Sequence, residues 1–243
     1  MITVRCKRAW LVVVLALSLM STARYAVAQS ADTTSESSHK ISASYDVLFA
    51  SKYLFQGLDY SNSRGVAQPN VNLGVGSFTF NAWGNFQPDL DVLNEIDLSV
   101  KYTHGFHGFS VAPGYMALRY PNRDWDPSQE LFIELAAPGS LHPTLAVHYD
   151  FDAGKGSYST LGVSRPVRGP LSLGANLFYQ NQYYEMTGFP ALEIKASAAL
   201  SIGVLGFTPS LSRFVSWQNG DFRDAAKLPP SWLLGVDFSH QLP

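Results

Sequence analysis

Past residue 28 the chain contains no cysteine, because its single thiol, Cys6, falls near the beginning. Disulfides, thiolate chemistry and Cys-ligated zinc are therefore excluded from the mature protein, and no cysteine follows the expected cleavage site to carry a lipid anchor. Charge is sparse as well: Asp, Glu, Lys and Arg make up 15% of the residues, against about 25% in a typical soluble domain. After Met20 no apolar run approaches the ~20 residues that a helix needs to span a bilayer. A net charge of −2 gives no electrostatic reason to expect nucleic acid as a partner. His-x-x-x-His pairs, calcium-loop patterns and phosphate-loop glycines are absent too, so no cofactor, metal or catalytic metal site is expected.

What is present begins with an export signal. Arg5, Lys7 and Arg8 precede an apolar core from Trp10 to Met20, and Ala26-Val27-Ala28 offers the small residues that a signal peptidase reads. Residues 1–28 are thus expected to be a cleaved leader. Residues 29–40 are polar and free of aromatics, which predicts a flexible periplasmic tail, with ordered structure in 41–243.

Hydrophobic residues reach 46% and aromatics 13%. They are arranged with a period of two rather than 3.6. From Asn94 to Thr103, Ile96, Leu98, Val100 and Tyr102 alternate with Glu95, Asp97, Ser99 and Lys101. Leu145, Val147 and Tyr149 alternate in the same way with Ala146, His148 and Asp150. A ribbon with one greasy and one wet face, long enough to cross hydrocarbon when tilted, is the mark of a transmembrane barrel. The expected fold is all-β, an antiparallel up-and-down barrel of about 12 strands, with 10 to 14 as the range. The strands are expected over 41–56, 67–75, 78–86, 94–103, 109–120, 130–136, 144–151, 157–164, 171–179, 191–202, 207–217 and 232–239. Pro209 and Arg213 share parity with Phe207, Leu211 and Val215, so a bulge or register shift is expected there. Short glycine-marked connections alternate with longer polar ones, as in a barrel with periplasmic turns and extracellular loops.

Ser51-Lys52-Tyr53-Leu54-Phe55-Gln56-Gly57-Leu58, Trp83-Gly84-Asn85 and Glu95-Ile96-Asp97-Leu98 resemble the first-, third- and fourth-strand motifs of the TorF-like porin family of outer-membrane β-barrels. Similarity extends to Tyr149-Asp150-Phe151-Asp152. Gln56 stands where that family usually has arginine, and the chain ends Phe238-Ser239-His240-Gln241-Leu242-Pro243 rather than on an aromatic. The resemblance implies a porin or channel in the outer membrane of a Gram-negative bacterium.

Taking the apolar parity as the lipid face, the lumen is expected to receive Lys52, Glu95, Asp97, Lys101, Arg119, Glu130, Glu134, His148, Asp150, Glu193, Lys195 and Asp237. These residues either line a polar pathway or pair across a packed interior. Many of the tyrosines and tryptophans are expected in interface girdles, with Trp125 as the candidate for stacking on a sugar. Partners expected are outer-membrane lipids and lipopolysaccharide, the barrel-assembly machinery, and small polar solutes, for a monomer that is not an enzyme. Two rivals remain: a hydrolase of lipid or lipid A, which needs a serine and a histidine together at the rim, and a non-conducting structural or adhesive barrel. For His148 and Asp150, an ion pair in the lumen is favoured over a catalytic pair.

Overall fold

The computed structural model describes residues 41–216, 220–222 and 232–242. The expected leader and tail lie outside these residues, as do Trp217 and most of the last long loop.

Twelve antiparallel strands form the wall: β1 (Ile41–Ala50), β2 (Val66–Val75), β3 (Phe78–Gln87), β4 (Val92–Tyr102, resumed at His104–Phe106), β5 (Phe109–Arg119), β6 (Ser128–Ala136), β7 (Thr144–Asp150), β8 (Gly156–Arg168), β9 (Leu171–Tyr183), β10 (Ala191–Ala198, resumed at Leu200–Ile202), β11 (Leu205–Ser216) and β12 (Trp232–Leu242). Each pairs with the next in sequence, and β1 pairs with β12 from Ala43↔Leu242 to Ala50↔Gly235. The sheet is therefore closed and has no free edge, the condition for peptide groups to be satisfied in hydrocarbon.

Two gaps in the ladder have one cause. Lys101 pairs with Gly114 and His104 with Val111, so register is kept across the break in β4 that faces Pro113. Ser197↔Ser210 and Leu200↔Phe207 keep register likewise across the break in β10 that faces Pro209. Proline has no N–H to donate, so hydrogen bonding lapses locally while the partners stay in step. The expected register shift in 207–217 is thus corrected, since β11 also pairs in step with β12 from Gly206 to Arg213. Bulges occur elsewhere, between Asn85 and Phe86 on β3 and at two points of β8 against β9.

At one end the strands are joined by tight turns in which Gly76, Gly108, Gly169 and Gly203 take positive φ. Two-residue hairpins demand such angles because their twist must match that of the strands. The connection of residues 137–143 lies at this end too and is longer, while the connections after β1, β3, β5, β7, β9 and β11 lie at the other end.

The outward parity carries Val71, Leu73, Phe78, Phe80, Leu98, Leu131, Leu161, Leu173, Ile194, Leu211 and Leu234, all exposed. A belt this continuous belongs against lipid, not water. Arg119 also falls on this parity, paired with Ile96, which corrects its expected place in the lumen. A basic residue costs about 2 to 4 kcal/mol at the bilayer midplane but only about 0 to 1 near the interface. Arg119 ends β5, and its guanidinium donates to the Leu118 carbonyl at 2.8 Å. Arg213 is outward too, near the end of β11, with its guanidinium 5.2 Å from the Trp232 ring centroid.

Inside, Gly114 lies under the Phe132 ring, where an added Cβ would come within 2.2 Å of Cζ. Gly114→Ala is expected to lower stability in detergent by about 1 to 3 kcal/mol through overpacking. Urea titration checks this, and Gly114→Ala with Phe132→Ala should recover part of the loss.

Candidate functional site

The first strand was expected to run to Gln56, but it stops at Ala50, and the chain turns into the barrel. Leu54–Phe55 pairs with Leu58–Asp59 in a small separate hairpin, extended by Tyr60 N–H donating to the Tyr53 carbonyl at 2.9 Å. Its turn, Gln56-Gly57, has φ of 49° and 77°. Asp59 fixes the base by accepting from the backbone N–H groups of Ser61 (2.9 Å) and Ser63 (2.7 Å). The tip crosses to the far wall. There Gln56 Nε2 donates to Thr160 Oγ1 at 3.1 Å, and an added Cβ on Gly57 would lie 2.7 Å from Ala191 Cβ. Phe55 meets Tyr158 edge-on at 5.1 Å. The segment 51–58 therefore folds mostly as a lumen insert, not as wall.

Above the insert, at the long-loop end, lies a cavity of about 780 Å³. Tyr53, Phe55 and Tyr60 of the hairpin, Tyr120 and Trp125 of the loop after β5, and Tyr183 and Tyr184 line it. Its charged lining is Glu95, Asp124 and Asp126. Burial, then the nearby Asp150 carboxylate, pushes the Tyr184 hydroxyl up to about 12, so it stays protonated at any physiological pH.

The inward face of the wall is polar. Glu95, Asp97, Lys101, Glu130, Glu134, His148, Asp150, Glu193, Lys195 and Asp237 all stand on the face opposite the apolar belt. Lys52 does not stand in the wall; it occupies the bend between β1 and the hairpin. Several candidates are engaged with one another. Lys101 Nζ meets Glu134 at 2.7 Å. His148 Nδ1 lies 2.9 Å from Glu130, which also accepts from the Tyr158 hydroxyl at 2.6 Å. The expected ion pair of His148 with Asp150 is thus replaced, because neighbouring strands bring Glu130 across while Asp150 takes the Ser128 hydroxyl at 2.6 Å. Ser128 is fully buried and forms no hydrogen bond with His148, so these residues do not assemble a serine–histidine pair.

Residues missed from sequence are of two kinds. Many tyrosines are expected in girdles, yet Tyr53, Tyr158 and Tyr183 are buried inside. For Tyr158 its parity with His148 and Asp150 across β7 and β8 held the signal, since Tyr158 pairs with His148. Ser212, which clasps Glu193 at 2.6 Å from the side opposite Asn176 at 2.8 Å, depends on strand register. Gly162 lets Asn176 and Thr144 approach, since a Cβ there would lie within 2.8 and 2.6 Å of their side-chain oxygens.

The fold is similar to that of a KdgM porin, with a TM-score of 0.56, 12% identity, and coverage of 81% of this chain and 98% of that one. A KdgM porin in complex with disordered oligogalacturonate aligns with a TM-score of 0.53 and 11% identity, over 81% of this chain and 98% of that one. At such identity the likeness speaks for the barrel alone. No family model matches the chain, and neither does any curated protein.

Gly57→Val places a branched side chain at positive φ against Ala191. Strain of about 1 to 3 kcal/mol should raise the open population of the hairpin about tenfold. Residues 29–243 hold no cysteine, so Ala191→Cys in protein of that span reports directly: its modification by a water-soluble maleimide is expected to speed up accordingly in the Gly57→Val background.

Proposed function

We propose that the chain is an outer-membrane channel passing small polar solutes by passive diffusion, with preference for cations and neutral molecules. The observation that carries this reading is the sign of the interior. Among the described wall residues, Asp46, Glu95, Asp97, Glu130, Glu134, Asp150, Glu193 and Asp237 face inward, against Lys101 and Lys195 as the inward lysines. A pore lined by carboxylates repels anions and holds cations, because low-dielectric walls focus the field along the axis. The apolar belt supports placement in a membrane, and a barrel of this kind points to the Gram-negative outer membrane. The resemblance to TorF-like porins agrees with the channel reading. The oligogalacturonate named with one of the similar structures is an anionic chain, and the acidic interior here disfavours a solute of that sign.

The hairpin across the mouth supports one other reading, a barrel that does not conduct. Single-channel recording of refolded protein in planar bilayers separates them. Discrete steps are expected, with a reversal potential under a KCl gradient on the cation-selective side. Asp46→Asn combined with Asp237→Asn should move that potential toward zero. An absence of current, also in a variant lacking residues 54–59, overturns the channel reading.

A further inference from the structure

The cavity above the hairpin differs from the lumen below it in being walled by rings. Tyr60 meets Trp125 at 84°, Tyr120 meets Trp125 at 75°, and Tyr183 meets Tyr184 at 77°. Rings crossed in this way form a box rather than a flat platform. A pyranose stacks on a flat, open ring face, whereas a rounded cation is held by several faces at once, each with a negative quadrupole.

The polar groups of the lining point the same way. Glu95, Asp124 and Asp126 are acceptors, and the phenols add a few hydroxyls; among the described residues, no amide or basic side chain lines the cavity. A sugar hydroxyl needs both donors and acceptors, while an ammonium group only donates. Arg123, the nearest base in sequence, is outside the lining; it donates to Gln87 Oε1 at 2.6 Å and takes up one face of Trp125, 5.5 Å from the ring centroid.

Beneath the box the negative charge is under-compensated. Glu95, 6% exposed, forms part of the cavity wall, and Asp97 and Glu130 are its acidic neighbours. One oxygen of Asp97 and one of Glu130 are buried without a hydrogen-bond partner, although the other oxygen of Glu130 is met by His148 and Tyr158. Isolated carboxylates are costly in such a setting, and a cation close by relieves that cost.

We infer that this vestibule is a binding site for organic ammonium ions, held by the ring box around their apolar groups and by Glu95, Asp124 and Asp126 around their charge. A volume of about 780 Å³ suits a solute larger than a bare metal ion. The inference names the solute class of the proposed channel and rests on that reading for its biological purpose. Binding itself requires no current.

The test is calorimetric titration of the full mature protein in detergent micelles, with choline as probe and 3,3-dimethylbutan-1-ol as its uncharged isostere. Choline is expected to bind at least about tenfold more tightly than the isostere, the range of a partly desolvated cation–π contact. Tyr184→Leu, and separately Asp124→Asn with Asp126→Asn, should each weaken choline about tenfold. Tyr184→Phe should retain most of the affinity, and unchanged heat-modifiability on gels would show that every variant is folded. Equal affinity for choline and isostere, binding of glucose in preference to choline, or indifference to Tyr184→Leu overturns the proposal. A protein that binds choline yet never conducts would leave the site standing and remove the channel.

Discussion

Peptide groups have no water to turn to in hydrocarbon, and a sheet that crosses it must leave none of them unpaired. In this chain that constraint is met where β1 joins β12, the pairing that joins the sequence-distant ends of the barrel. Closure divides every strand into an outer and an inner face. Val71, Leu98, Leu131 and Ile194 can then meet lipid only because their neighbours Asn70, Asp97, Glu130 and Glu193 are turned to the interior. Prolines test the constraint and show its tolerance. Pro113 and Pro209 each interrupt the ladder, yet pairing resumes in the same register, since the strands on both sides of the gap remain fixed by the closed sheet.

Function is placed by what closure encloses. A twelve-stranded wall leaves room that side chains of its own do not fill, and the segment after β1 enters that room. The hairpin divides the interior into an aromatic, acidic vestibule at the loop end and a hydrophilic lumen below, where carboxylates outnumber lysines. Inward charge is held by short contacts in places, Lys101 with Glu134 and His148 with Glu130, but the buried oxygens left over on Asp97 and Glu130 show that compensation is incomplete. In the proposed channel, an interior of that kind favours positive solutes.

Period-two alternation made the strands legible from Ile41 onward, because each wall residue must choose between lipid and water. The same alternation placed Glu95, Lys101, Glu134 and Glu193 on one face with Asp237. It failed at strand ends. Arg119 followed the outer parity because a guanidinium near the interface reaches carbonyls at little cost. Lys52 left the wall altogether, since alternation in Tyr53-Leu54-Phe55 continues into a hairpin that is itself extended structure. Gln56-Gly57 was the available sign of that turn, as a two-residue link able to take positive φ.

The amino-acid pattern by itself determined the class of fold, the sidedness of the strands and the acid-rich character of the interior, since these follow from local alternation and composition. Only the tertiary structure decided that the hairpin of residues 54–59 lies within the barrel, that Glu130 rather than Asp150 meets His148, and that seven rings enclose one cavity. The reason is physical: alternation states which face a residue takes, but contacts across the lumen depend on register and on how far a loop can reach, and neither is encoded in the immediate neighbours of any residue.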